Sequence, residues 1–286
     1  TIHIQGKFGE NGAAATGATI TKNITLDIAG DTEMTGNNSI DGITLTSGTK
    51  IRCSNGSKLT MTEFRTAFTV ASGAEVNDGT YIFTNNKSTT RGIHIEGSVK
   101  GSTGRESVVI KADDSVNTNF YSGNATFENA TIDVTSQKWT WKDASALNLK
   151  NVSMTLSGFG QGYYVQGGTI ENSFLNMKDP GLRWGFLRMG STGIAFQGGG
   201  TVIKGSTIQL DYGSNAGLSI GLANASTAMT IEDSVLDFRN AGTGGLNVNT
   251  GDITIKNTLI KGDGRNTGAL YGAQTNGKIT FINNSR

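Results

Sequence analysis

The chain of 286 residues has a single cysteine, Cys53, and a single proline, Pro180. A lone cysteine can form no internal disulfide and has no companions for a thiolate metal cluster, so Cys53 reads as a small core residue and packing must hold the fold. Histidine is nearly absent as well: His3 and His94 are the only two, His94 lies between Ile93 and Ile95 and should face outward without a catalytic partner, and both read as surface residues. No sign of charge dominates. The 24 Lys and Arg against 23 Asp and Glu leave a net +1, which gives no global field to recruit nucleic acid or an anionic membrane. No apolar run approaches the ~20 residues of a membrane-spanning helix, so no membrane insertion is expected. No charged, apolar, small-residue leader is recognisable either. The chain starts and stops within strand-like sequence and reads as one domain, 1–286, excised from a longer surface protein.

What is abundant is glycine, 41 residues of it, with Thr, Asn and Ser alternating with Ile, Val and Leu, a mixture that favours strands and turns over helices. The alternation is organised in repeats. One family contains Thr126-Phe127-Glu128-Asn129, Asn148-Leu149-Lys150-Asn151 and Thr169-Ile170-Glu171-Asn172, and continues through Val202–Gly205, Thr230–Asp233, Thr254–Asn257 and Thr280–Asn283. Each has an apolar anchor, a spacer that is charged in all but the last, and then Asn, Asp or Gly. The anchors Phe127, Leu149, Ile170, Ile203, Ile231, Ile255 and Phe281 stand 22, 21, 33, 28, 24 and 26 residues apart. Asn, Asp and Gly best tolerate a left-handed backbone, so the local pattern is strand, tight turn, strand. Stacked Asn side chains could also hydrogen-bond from coil to coil.

A further alternating segment recurs in the first half as Ile43-Thr44-Leu45, Phe68-Thr69-Val70 and Ile93-His94-Ile95, at intervals of 25 and 25. Later it recurs as Tyr163–Val165, Ile194–Phe196, Leu218–Ile220 and Leu246–Val248. Strands of this kind cannot bury their apolar side alone, but stacked in register they form a continuous core. The fold expected is all-β: a right-handed parallel β-helix, a solenoid of about eleven coils with three parallel sheets.

In its three-strand coil and its Asn-bearing turns from Asn129 to Asn283, the chain resembles the pectate-lyase-like superfamily of right-handed β-helices. That resemblance covers most of the chain but is architectural. The superfamily includes polysaccharide lyases, polygalacturonases, phage tailspikes and the binding regions of bacterial cell-surface adhesins, and fold does not choose among them. The polygalacturonase Asn-Thr-Asp, Gly-His-Gly and Arg-Ile-Lys motifs are absent. Asp113-Asp114 is the only Asp-Asp pair, and it reads as a solvated turn rather than an acid and base. Arg183 and Arg188 keep the spacing of the lyase Arg-x-Pro-x-x-Arg motif, but Gly185 stands in place of its proline. The Trp-x-Asp-His motif and an acidic cluster for calcium are missing.

The same stretch reads better as a binding loop. It lies in the longest repeat interval, 33 residues, and long loops on rigid scaffolds usually hold function. An indole stacks on the apolar face of a sugar, and arginine forks pair with uronate, sialate or sulfate. In Lys138-Trp139-Thr140-Trp141-Lys142, period-two logic turns the tryptophans inward and the lysines outward. Lys138, Lys142, Tyr164, Arg183, Trp184 and Arg188 then form the expected carbohydrate-binding patch, and six of the nine Trp and Tyr residues fall between Tyr121 and Trp184. The function expected is a non-catalytic adhesin domain on a bacterial surface, binding a polysaccharide or host glycoprotein glycans, with no cofactor and no metal. A polysaccharide lyase or glycosidase and a structural stalk or phage fibre are the alternatives. The oligomeric state is not legible.

Overall fold

The computed structural model describes residues 1–9, 13–85, 92–113, 120–122, 124–135, 146–157, 163–165, 167–178, 192–196, 200–211, 219–222, 228–240, 246–248, 250–262 and 276–283. Among these, every regular element is a strand, the described strands pair in parallel, and they stack as a β-solenoid. The chain divides into two compact units: residues 1–139 with 151–153, and residues 140–150 with 154–286.

In the first unit, a small sheet stacks Ala18–Ile20, Asp41–Leu45, Thr66–Val70, Ile93–Ile95 and Phe120–Ser122. Ile43, Phe68 and Ile93 lie in one column, as the period of 25 requires. In a long sheet, each repeat supplies two consecutive segments. Thr25–Thr35 pairs with Lys50–Cys53 through its first half and with Lys58–Thr62 through its second. The same division continues through Glu75–Val76 and Gly79–Thr84, then Ser98–Lys100 and Val108–Asp113, to Thr126–Thr135. Alternate positions face inward, so Leu26, Ile51, Val76, Val99 and Phe127 stack in one buried column. Each such side chain adds about 1.5–3 kcal/mol of apolar burial. Phe68 stacks on Tyr81 and Phe83, with ring centroids 6.2 and 5.4 Å away, and the buried Tyr81 hydroxyl donates to the Asn77 carbonyl at 2.9 Å.

The second unit repeats the scheme. Its small sheet contains Tyr163–Val165, Thr192–Phe196, Ser219–Leu222 and Leu246–Val248. Its long sheet stacks Ala146–Lys150 of the strand Ala146–Ser157 with Gly167–Glu171, Thr201–Lys204, Ala228–Glu232, Thr250–Lys256 and Asn276–Ile282. The companion column is Phe174–Lys178, Thr207–Asp211, Val235–Asn240 and Leu259–Lys261.

The turn residues adopt the expected left-handed backbone: Asn129, Asn151, Asn172, Gly205, Asp233, Asn257 and Asn283 have φ of 51, 53, 46, 56, 50, 45 and 50°. Their side chains link neighbouring coils. Within the first unit Asn151 Nδ2 donates to Asn129 Oδ1 at 2.7 Å, and Asn129 Nδ2 to the Gly101 carbonyl at 2.9 Å; within the second, Asn257 Nδ2 donates to Asp233 Oδ1 at 2.7 Å.

Four expectations need correcting. Ile194 pairs with Ile220, not Leu218, so the motif here lies two residues later than its alternation indicates; the shift is even and preserves facing. Asp113 ends the strand Val108–Asp113 and is not a turn residue. His94 does face away from the buried Ile93 and Ile95, but its side chain is only 13% exposed and its Nε2 lies 2.9 Å from Glu96 Oε1. Phe281 occupies the inward column opposite Ile255 yet is 47% exposed, because Asn276–Ile282 has no described strand on its other edge.

Candidate functional site

Of the expected patch, Tyr164 lies in the strand Tyr163–Val165, opposite Ala195 of Thr192–Phe196. Lys138, Lys142, Arg183, Trp184 and Arg188 lie outside the described residues, as do Trp139 and Trp141. The described surface with the most regular chemistry is another one, the outer face of the long sheet.

In the second unit this face follows from inward placement of Leu149, Ile170, Ile203, Ile231 and Ile255, all 1% exposed or less. Their neighbours must point outward. One neighbour column runs Asn148, Thr169, Val202, Thr230, Thr254, Thr280. The other runs Lys150, Glu171, Lys204, Glu232, Lys256 and Ile282. The first offers hydroxyls and an amide; the second alternates in sign for five rungs. Lys204 Nζ lies 2.7 Å from Glu232 Oε1, and Lys256 Nζ lies 3.6 Å from Glu232 Oε2. The hydrogen bond from Lys204 holds the Glu232 carboxyl below its usual range and raises the Lys204 ammonium. The ammonium-bearing side chains stand highest: Lys204 and Lys256 are 53% and 45% exposed, Glu232 only 19%.

The first unit groups the same charges in a different register, with Ser98 rather than Lys100 opposite Glu75. Glu75 lies between Lys50 at 3.0 Å and Lys100 at 3.3 Å, and Asn77 Nδ2 also donates to it. Partial burial pushes the Glu75 carboxyl up, and the donors from Asn77, Lys50 and Lys100 more than reverse it. Nearby, the buried Asp27 accepts from Arg52 Nε at 3.1 Å and faces His3 Nδ1 at 2.9 Å. Desolvation opposes its ionisation, but the bonds from Arg52, Ser54 and His3 prevail and its carboxyl is also lowered.

The carboxyls of Asp27, Asp41, Glu75, Glu232 and Asp237 are all held below their ordinary range by their donors, whereas a glycosidic general acid needs a raised one. Among the described residues no three His, Cys, Asp or Glu side chains group as metal ligands.

The sign alternation was available in the repeat alignment, where the spacer reads Lys, Glu, Lys, Glu, Lys from Lys150 to Lys256. Reading the spacers only as charged conceals it. No protein-family model matches the chain, and no curated protein and no solved structure matches it either.

Proposed function

We propose that this chain is a non-catalytic carbohydrate-binding domain of a bacterial surface adhesin that recognises an extended, acidic glycan along the side of its solenoid. In full the reading is a right-handed β-helix of about eleven coils with three parallel sheets, working outside the cell without a cofactor. The observation that carries it is the outward column Asn148, Thr169, Thr230, Thr254 and Thr280, interrupted only by Val202, with hydrogen-bonding groups at the regular rung spacing of about 4.8 Å. A polymer with its own repeat can meet such a column many times over. Weak contacts then sum without a deep pocket. In this reading Lys138, Lys142, Tyr164, Arg183, Trp184 and Arg188 add a stacking and cationic patch where the sugar is gripped most firmly.

The test is a glycan array run beside a product assay on pectins and host glycosaminoglycans. Binding without turnover is expected; new unsaturated or reducing ends would replace the adhesin with an enzyme. Trp184→Ala, Arg183→Ala and Arg188→Ala should each weaken binding about tenfold or more with little change in melting temperature, and the arginine effects should be larger for acidic glycans and smaller in high salt. Normal binding by all three would remove the patch.

A further inference from the structure

On the reading that this chain binds glycans, we infer that the lysine–glutamate column of the second unit is a contact strip for a linear polysaccharide carrying one acid group per disaccharide, a uronate alternating with a neutral amino sugar. The strip lies on the long sheet, separate from the strand that carries Tyr164.

The match between sheet and polymer is one of period. Successive rungs of a parallel sheet are about 4.8 Å apart, close to the advance per sugar of an extended glycan. Lys150, Lys204 and Lys256 occupy every second rung, so their backbone positions recur about every 9.6 Å, and Glu171 and Glu232 fill the rungs between. A polymer lying along the column with one carboxylate on alternate sugars presents each acid to a lysine. Each neutral sugar then meets a glutamate, which accepts from its hydroxyl or amide hydrogen. A polymer with an acid on every sugar would set half its charges against Glu171 and Glu232. The column therefore selects by repulsion as well as attraction.

Three features go beyond a merely neutralised sheet. The five column positions Lys150, Glu171, Lys204, Glu232 and Lys256 comprise three lysines and two glutamates, one more cation than anion. The lysines stand above Glu232, so the outermost groups are cationic. Beside them Asn148, Thr169, Thr230 and Thr254 supply hydroxyls and an amide on the same rungs. In the first unit Glu75 likewise lies between two more exposed lysines, Lys50 and Lys100 at 52% and 47% against 18%, although there Ser98 and not Lys100 is opposite Glu75, so the charge grouping recurs without the straight column.

The experiment measures binding of size-fractionated hyaluronan oligosaccharides by calorimetry, with polygalacturonate (an acid on every sugar) and chitin oligosaccharides (no acid) as comparisons. Hyaluronan should bind tightest, with an affinity that falls as salt rises. Lys204→Gln and Lys256→Gln should each weaken it about fivefold, and Lys204→Arg should retain it. The double variant Glu171→Gln/Glu232→Gln should gain affinity for polygalacturonate several-fold and so lose the discrimination. The inference is overturned if wild-type protein binds polygalacturonate as well as hyaluronan, or if the lysine variants bind hyaluronan as wild type does. In the latter case loss of glycan binding by Trp184→Ala would leave the adhesin reading standing; a wild-type protein that binds no glycan at all would sink both.

Discussion

A single side chain in this protein is governed by which face of a rung it falls on. Cys53 lies on the inward face, 7% exposed, with its Sγ 3.7 Å from the Thr80 carbonyl. Desolvation pushes its thiol up to about 11, against hydrogen bonding with Tyr81 and the backbone at Thr80 and Leu59 that acts to lower it. The thiolate is the reactive form, so at mildly alkaline pH the native thiol should be inert. Iodoacetamide with mass detection should label Cys53 only after denaturation; rapid labelling of native protein would show that its strand opens locally. The reading of Cys53 as a core residue followed from its isolation in the sequence. Its contacts with Tyr81 did not, because 28 residues separate them and only the stacking brings them together.

At the scale of the element, the turn determines where one strand ends and the next begins. The left-handed positions from Asn129 to Asn283 were legible because a steric rule favours Asn, Asp and Gly there, whereas Lys22 and Glu63, with φ of 62 and 60°, carry no such signal. What followed each turn was less visible. In the second unit Ser173, Ser206, Ser234 and Thr258 succeed the turn residues and form a buried hydroxyl ladder: the Ser173 N–H donates to Ser206 Oγ at 3.0 Å and the Ser206 N–H to Ser234 Oγ at 3.2 Å. A small polar residue after Asn reads equally well as an exposed loop, so sequence alone does not bury it. Asn129 separates the two contributions of the turn. Asn129→Gly keeps the backbone conformation but loses the bonds to Gly101 and Asn151, while Asn129→Ala loses both. Urea titration should show a loss of about 1–2 kcal/mol for Gly and about 1–2 kcal/mol more for Ala. Equal losses would mean that the side-chain ladder alone stabilises the turn.

For the molecule as a whole, the repeat made the parallel stacking and much of the core predictable, since one inward column fixes its neighbours. The aromatic and basic patch was a weaker reading for a physical reason: an insertion such as the 33-residue interval containing Arg183 and Trp184 obeys no period, so register says nothing about where its side chains point. The charges that do follow the period have a consequence for the entire fold. Asp27, Asp41, Glu75, Glu232 and Asp237 all have carboxyls lowered in the folded state, so the unfolded chain binds protons that the native one does not. Stability from each is therefore fully present above the ordinary carboxyl range and is lost as pH falls through the lowered folded value. Melting temperature should be flat near neutrality and fall progressively below about pH 5, the fall continuing beneath the ordinary carboxyl range. Asp27→Asn should lower the melting temperature at neutral pH and make its acid decline shallower, because that residue no longer changes its proton count on unfolding. An unchanged acid decline in this variant would show that the buried Asp27 contributes nothing to the linkage and that the lysine- and arginine-paired carboxylates of Asp41, Glu75, Glu232 and Asp237 account for it.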